Sequence, residues 1–198
     1  MKNIGILDPM GENKNPLTNK VYHNLYLSEP TFEFPPNSNK KYEYSYKNIS
    51  KIWTNLLVYK KRMEMINAFK KHKVTLIKAG TGVGKTVLVP KFALHAGNYK
   101  KKIVCCIPKK IITKETADFA AKCLDVQLGE HVGFYYKGEK KVDENNVETM
   151  LTFTTIGSLF SRLTGIDPLL EKYNTIIIDE AHERSIQTDF TLLLIKEV

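Results

Sequence analysis

Residues 79–86 read Ala-Gly-Thr-Gly-Val-Gly-Lys-Thr, directly after an apolar run at residues 74–77. The run predicts a buried strand, and residues 85–95 predict a helix. Glycines between a strand and a helix let backbone N–H groups turn towards a phosphate, and the positive end of the helix dipole adds to the attraction. The stretch therefore predicts a phosphate loop. A glycine-rich turn that binds no ligand is the alternative.

Each residue type in this loop has a role if a nucleotide binds there. The Lys85 ammonium would reach the β- and γ-phosphate oxygens, and the Thr86 hydroxyl would ligate Mg²⁺. The remaining positions would contribute backbone N–H groups. The loop thus predicts a nucleoside triphosphate and Mg²⁺ as ligands. The predicted nucleotide-binding residues are Gly80, Thr81, Gly82, Val83, Gly84, Lys85 and Thr86.

A second motif consists of three isoleucines, residues 176–178, followed by Asp179 and Glu180. The apolar run predicts a strand, so both carboxylates are expected at the carboxyl edge of a sheet, where open α/β sheets bind ligands. Asp179 would hold Mg²⁺ through water, and Glu180 would orient and deprotonate an attacking water. An ordinary helix N-terminus is the alternative for this pair alone. Together the two motifs predict a nucleoside-triphosphate hydrolase site.

The region around the two motifs alternates between strand-like and helix-like patterns. Apolar runs of strand length that are hydrophobic on both faces are typical of parallel sheets covered on both sides. We therefore expect an α/β protein with a mostly parallel sheet and helices on both faces. The predicted strands are residues 74–77, 103–107, 132–136, 150–154 and 175–178, and the predicted helices are residues 85–95, 111–124 and 186–197.

The first 50 residues differ from the rest of the chain. They hold five of the eight prolines and eight asparagines, and their apolar residues follow no period. This composition predicts an extended or partly disordered N-terminal extension over residues 1–50. Two alternatives remain open for it: its aromatic residues anchor it onto the following domain, or it is a disordered tail. From about residue 51 a helical pattern begins, so residues 51–198 are predicted to form the ATP-binding domain.

The net charge of +9 is unevenly distributed. Residues 51–130 carry 17 basic and 5 acidic side chains, whereas residues 131–198 carry 7 and 11. A concentrated basic stretch suits binding to a nucleic-acid backbone, because each neutralised phosphate releases counterions. A solvated lysine face is the alternative.

Other features exclude several classes of protein. No run approaches the length of a membrane span, and no basic-then-apolar segment opens the chain, so neither a membrane protein nor a secreted one is expected. Three cysteines without paired spacing predict buried thiols in a reducing compartment. We expect an intracellular location, in the cytoplasm, the nucleus or a virion.

The motifs resemble those of the DEAH-box helicases. Residues 179–184, Asp-Glu-Ala-His-Glu-Arg, resemble motif II, and residues 82–86 resemble motif I. Residues 108–110, Pro-Lys-Lys, resemble motif Ia. Residues 154–159 resemble the Thr-Asp-Gly segment, with Ile156 in place of the aspartate. The resemblance extends over about residues 57–198, and the form of the phosphate loop is closest to viral members. Residues 57–59 with Arg62 resemble the short segment before motif I, although the family's usual proline is replaced by Leu57 or lost. Further matches are residues 89–91, residues 129–136, and Thr188 with Asp189.

The resemblance implies the first RecA-like domain of an ATP-dependent RNA helicase. It implies single-stranded RNA as partner, with DNA as a second possibility, and a second RecA-like domain in the full-length protein. By the same resemblance, His182 couples the nucleotide site to RNA-gripping motifs, and Lys109, Lys110 and Thr155 contact the RNA backbone. Since the chain stops before a second such domain, we expect it to bind nucleotide, to hydrolyse it poorly and not to unwind duplexes.

Two other functions remain open from the sequence. The chain could be a truncated nucleic-acid-binding protein with a vestigial ATP site, in which the basic segment acts without turnover. It could also be a P-loop ATPase that acts on DNA or protein, which the Asp-Glu-Ala-His context disfavours.

Overall fold

The computed structural model describes residues 15–19, 49, 52–142 and 149–197. The described residues form two compact units. The first unit contains the described residues up to Tyr99 together with residues 120–127. The second contains residues 100–119 and the described residues from Leu128 onwards. The predicted aromatic anchors of the N-terminal extension lie outside the described residues.

Three helices dominate the first unit: α1 (Leu57–Lys60), α2 (Arg62–Lys71) and α3 (Lys85–Ala96). Residues 52–54 are also helical. Helix α3 packs against α1 and α2, and it is buried on most of its circumference from Leu88 to His95. Its apolar residues are not confined to one stripe, which is the pattern of a helix enclosed by neighbours. The predicted helix over residues 85–95 is confirmed and extends one residue further.

The predicted strand at residues 74–77 is wrong. These residues adopt no regular secondary structure, and the side chains of Val74 and Leu76 are 87% and 91% exposed. A β-branched apolar run has the local preference of a strand, but a strand forms only where a neighbour supplies its hydrogen bonds. None of the described strands pairs with this segment.

The second unit is built on a five-stranded sheet. Its strands are β1 (Ile103–Ile107), β2 (Val132–Tyr136), β3 (Glu139–Lys141), β4 (Leu151–Thr155) and β5 (Thr175–Ile178). Their order in the sheet is β3-β2-β4-β1-β5. Strand β1 pairs in parallel with both β4 and β5, and β2 pairs in parallel with β4. Only β3 is antiparallel, as the second strand of a hairpin with β2.

Helices cover both faces of this sheet. On one face, α5 (Ile156–Leu163) and α6 (Ile186–Glu197) pack over Val104 and Cys106 of β1. On the other face lie Phe134 and Phe153, whose backbones pair across β2 and β4. Helix α4 (Lys110–Leu124) reaches this second face, because its Lys114 ammonium lies 5.9 Å from the Phe134 ring centre. The predicted α/β class with a mostly parallel sheet and helices on both faces is confirmed.

The cysteines behave as the sequence predicts. Cys105 and Cys106 lie in β1, and Cys123 lies near the end of α4; all three thiols are buried and unpaired by disulfides. Burial raises the pKa of the Cys123 thiol to about 11, although the nearby Lys91 opposes the shift. Thiols with raised pKa values are poor nucleophiles, so these residues act as core packing.

One residue of the N-terminal extension is buried in the first unit. The Asn15 amide nitrogen donates to the carbonyl oxygen of Leu124 at 2.9 Å, and its amide oxygen accepts from the backbone N–H of Leu17 at 2.9 Å. A polar side chain, not an aromatic one, therefore anchors this part of the extension. Among the described residues, no helix combines the length and apolar character needed to cross a membrane.

Candidate functional site

The phosphate loop lies in the first unit and turns sharply at two glycines. Gly82 and Gly84 have φ angles of +72° and +91°, a region that residues with a β-carbon adopt at a cost. A β-carbon built on Gly80 or Gly82 would meet no atom within 4 Å. The backbone of the loop is therefore open to an approaching ligand at these positions, as a phosphate-binding loop requires.

Lys85 begins helix α3 and folds back over the loop. Its Nζ donates to the carbonyl oxygen of Ala79 at 2.9 Å and also to that of Gly80. The ammonium is thus held above the loop by neutral acceptors, which an anionic phosphate oxygen would replace with a stronger charge-assisted bond. Thr86 follows in the first turn of α3 and is partly buried.

The N-terminus of α3 receives no hydrogen bond from a capping side chain, because the cap position is Gly84. The first N–H groups of any helix lack partners within the helix, and the helix dipole favours an anion beside them. Open backbone, a poised ammonium and an uncapped helix end fit a polyphosphate. The Thr86 hydroxyl is an oxygen donor of the kind that Mg²⁺ accepts.

Motif II follows strand β5 in the second unit. The backbone N–H of Asp179 donates to the carbonyl oxygen of Cys106 at 3.0 Å, which extends the pairing of β5 with β1 by one residue. The Asp179 carboxylate accepts from the Glu180 N–H at 3.0 Å. Both carboxylates therefore lie at the carboxyl edge of the sheet, as the sequence predicts.

The backbone bends sharply at Glu180, which has a φ of +52°. A short 3₁₀-helix, Ala181–Glu183, follows and is closed by a 2.9 Å bond from the Glu183 N–H to the Glu180 carbonyl. The bend brings His182 Nδ1 within 3.3 Å of Glu180 Oε2, with His182 itself 79% exposed. A left-handed conformation at a residue with a side chain is strained and occurs often at functional sites.

The end of motif II is fixed by side chains. Arg184, also left-handed with a φ of +51°, donates through two nitrogens to the Asp189 carboxylate at 2.8 and 3.0 Å. This pairing lowers the pKa of Asp189. The Ser185 hydroxyl then accepts from the Thr188 N–H at 3.1 Å and caps helix α6. Motif II is thus anchored to the helix that follows it.

A pocket opens at the carboxyl edge of the sheet beside motif II. Asp179 and Glu180 line it together with Ile156, the residue that replaces the family's aspartate. Ile156 is 8% exposed and belongs to the apolar cluster under α5 and α6, so an aspartate in this structure would place a carboxylate among apolar side chains. The other lining residues are Cys106, Ile107, Pro108, Ile178, Glu183, Ser185, Gln187 and Thr188.

The lysines of motif Ia lie exposed at the beginning of α4. The Lys109 carbonyl accepts from the backbone N–H of Thr113 at 3.1 Å and from its hydroxyl at 2.8 Å. The Lys110 ammonium donates to the carbonyl oxygen of Lys137 at 3.2 Å. Lys137 belongs to the β2–β3 hairpin, which the sequence did not connect with motif Ia.

The β2–β3 hairpin carries Lys137, Lys140 and Lys141, which the sequence did not assign to the RNA contacts. Lys114 of α4 donates to Glu139 at 2.6 Å, and the Tyr136 hydroxyl donates to the same carboxylate at 2.6 Å. These bonds hold the hairpin against α4 and lower the pKa of Glu139. The sequence signal for this hairpin is the two-residue turn Lys137-Gly138 between two short strand-like runs.

Thr155 differs from the two lysines in exposure. It is 7% exposed, and its hydroxyl lies 2.9 Å from the Ser158 hydroxyl at the N-terminus of α5. It therefore acts as a helix cap in this structure. Within the second unit, Asp179, Glu180 and His182 lie together at one edge, and the phosphate loop belongs to the first unit.

The chain is similar to a protein family and to known helicases. Residues 40–196 match the family described as "Type III restriction enzyme, res subunit". The chain is similar to the putative ATP-dependent RNA helicase L540 of Acanthamoeba polyphaga mimivirus, with 38% identity over 193 residues, 98% of this chain and 25% of that protein. It is also similar to the ATP-dependent RNA helicase HrpA of Borreliella burgdorferi, with 39% identity over 144 residues, 72% of this chain and 17% of that protein.

The chain therefore spans a quarter or less of the length of these curated relatives. The match to the family model covers most of the chain, and both relatives are named as helicases. The chain belongs to this family of superfamily 2 helicases, and it corresponds to the N-terminal RecA-like domain of a DEAH-type member.

Proposed function

We propose that the chain is the nucleotide-binding domain of an ATP-dependent RNA helicase, in which ATP hydrolysis drives movement along single-stranded RNA when a second RecA-like domain is present. The observation that carries the proposal is the uncapped N-terminus of α3, preceded by an open glycine turn with Lys85 above it. The relatives' names support ATP and RNA as the ligands. An intracellular location stays a prediction.

The proposed chemistry assigns separate tasks to the two motifs. Lys85 and the loop N–H groups bind the β- and γ-phosphates and stabilise the charge that develops on them. Glu180 orients a water for in-line attack and accepts its proton. Thr86 and Asp179 are the residues that would hold Mg²⁺, which supplies charge neutralisation when bound.

The test is ATP turnover with and without single-stranded RNA, for the wild type and for Glu180→Gln. Turnover that rises with RNA and needs Glu180 supports the helicase domain. RNA binding without such turnover supports the rival, a nucleic-acid-binding protein with a vestigial ATP site. The prediction that the 198-residue chain alone turns over slowly and does not unwind duplexes is checked in the same assay.

For RNA we propose a backbone track over Lys109, Lys110 and the adjacent β2–β3 hairpin, with Thr155 as a further predicted contact. Lysine ammonium groups suit phosphates and carry little sequence information. A competition assay between RNA and DNA strands of the same sequence separates the two possible substrates.

The track is tested by salt dependence. In Lys109→Gln/Lys110→Gln, the slope of log affinity against log salt should fall by about 0.7 for each phosphate that the variant no longer neutralises. The matched control is Lys100→Gln/Lys101→Gln. This lysine pair is also exposed, but it precedes the N-terminal end of β1, whereas Lys109 and Lys110 follow the C-terminal end. If the two double variants show equal slopes of log affinity against log salt, Lys109 and Lys110 do not contact the RNA backbone.

A further inference from the structure

Gly84 is the one glycine of residues 80–84 that packs against a neighbouring side chain. A β-carbon built on Gly84 would lie 2.5 Å from Leu56 Cδ1 and 3.3 Å from Leu88 Cδ1. The corresponding positions at Gly80 and Gly82 are open. Leu56 therefore occupies the space beside the last turn of the loop, at the point where helix α3 begins.

Leu56 is held in place by its own short segment. Its backbone N–H donates to the Trp53 carbonyl at 3.2 Å, and its carbonyl accepts from the Tyr59 N–H at 3.0 Å. Leu56 itself is extended, with φ −68° and ψ 145°. We name residues 53–59 the brace. Its backbone bonds fix the direction in which the Leu56 side chain points towards Gly84.

The brace contacts helix α3 a second time, nearly two turns further along. The Trp53 ring, 1% exposed, lies 3.6 Å from the Lys91 Nζ, which also donates to the Cys123 carbonyl at 2.8 Å. Tyr59 packs edge-on against Trp53 with ring centres 5.2 Å apart, and its ring lies 6.3 Å from that of Phe92. The contacts of Trp53 and Tyr59 hold the brace against helix α3. The Leu56 side chain is therefore kept against Gly84 at the end of the phosphate loop.

We propose that Leu56 is a positioning residue for triphosphate binding, which fixes the turn at Gly84 so that the first N–H groups of α3 face the phosphates. The proposal rests on the proposed function, because it concerns the same loop. Its physical basis is preorganisation: a loop that spends part of its time in other conformations binds more weakly in proportion to the competent fraction.

The test measures the affinity of the chain for a nonhydrolysable ATP analogue with Mg²⁺ by calorimetry, together with KM, kcat and the melting temperature. Leu56→Ala should weaken binding about tenfold and raise KM similarly, with kcat changed less than about twofold. Leu56→Met should restore most of the affinity. The matched control is Leu57→Ala, because Leu57 is the next residue and is 60% exposed.

Each outcome decides the proposal. If Leu56→Ala lowers the melting temperature but binds the analogue as tightly as Leu57→Ala, the role is structural only and the proposal is overturned. If Leu56→Ala does not fold, Leu56→Val replaces it, since valine lacks the δ-carbon that faces Gly84. Failure of the wild type to bind the analogue overturns both this proposal and the proposed function, whereas equal binding by all variants overturns this proposal alone.

Discussion

The helices that follow the two motifs begin differently. Helix α3, after the phosphate loop, has Gly84 at its cap position and receives no hydrogen bond from a capping side chain. Helix α6, after motif II, is capped by Ser185 and further held by the Arg184–Asp189 pair. A helix N-terminus without a capping side chain leaves room for an anion to act as the cap, whereas a side-chain cap stabilises the fold at once. The comparison therefore indicates that the N-terminus of α3 serves ligand binding and that the N-terminus of α6 stabilises the fold.

The largest effect should come from removing the cation above the uncapped end. Lys85→Ala should lower kcat/KM for ATP by at least about 10³-fold, because the phosphates lose their charged partner both in binding and in turnover. The measurement is steady-state ATP hydrolysis combined with calorimetric binding of the ATP analogue. Lys78→Ala, an exposed lysine shortly before the loop, is the matched control and should behave as wild type. Unchanged binding in Lys85→Ala would contradict the assignment.

Glu180→Gln should show that motif II acts in catalysis whereas the phosphate loop acts in nucleotide binding. We expect kcat to fall about 10²-fold because the amide cannot accept the proton of the water, while affinity for the ATP analogue stays within about twofold. Glu183→Gln is the control, since Glu183 lines the same pocket. Equal losses in the two variants would show that the pocket's general negative charge matters, and not a base at Glu180.

A third prediction concerns the support beneath the phosphate loop. Burial lowers the pKa of Lys91 to about 7, against an ordinary value of 10.5, although Cys123 opposes the shift. Between these two pH values the unfolded chain binds the proton more readily than the folded one, so stability rises with pH across the window. Its slope from this group is at most about 1.4 kcal/mol per pH unit.

Lys91→Met removes this titration while keeping a long apolar side chain. Urea unfolding at several pH values from 7 to 10 should show the wild type gaining stability relative to Lys91→Met as pH rises. Lys78→Met serves as the exposed control. Parallel stability curves for wild type and Lys91→Met would show that the Trp53 ring and the Cys123 carbonyl keep the ammonium charged throughout.

The smallest effect should come from the capped helix. Ser185→Ala should lower the free energy of unfolding by about 1 kcal/mol, because the Thr188 N–H loses its acceptor. Affinity for the ATP analogue should stay unchanged, since this helix end binds no phosphate. Thermal unfolding and calorimetry check the two statements. If Ser185→Ala lowers the affinity for nucleotide but not the stability, the N-terminus of α6 serves ligand binding and not the fold.

The elements that the sequence predicts well are those whose pattern is decided locally. Helix α6 and strands β1, β2 and β5 have the predicted bounds. The short apolar runs of the strands and the helical spacing of α6 are both visible within the element itself. The glycine turn at Gly82 and Gly84 is local in its backbone angles, both with positive φ, but the contact of Gly84 with Leu56 depends on the fold. Its roles in binding ATP and Mg²⁺ stay predictions.

The elements that the sequence missed depend on distant neighbours. Residues 74–77 have strand composition but lack a paired strand, and helix α5 was not predicted although Thr155 and Ser158 form its cap. The hydroxyl expected to contact RNA thus serves a helix end. Burial of Ile156 follows from the packing of α5 and α6 over β1, which no local pattern encodes.

The hydrogen bond from Asn15 to Leu124 has a practical consequence for truncation experiments. It closes a loop between residues 109 positions apart. A shortened protein that starts at residue 51 would leave the carbonyl at the end of α4 without this donor, and α4 lies directly before the chain's return to the sheet. Removal of the first 50 residues should therefore loosen the end of α4, where the Cys123 carbonyl accepts from Lys91.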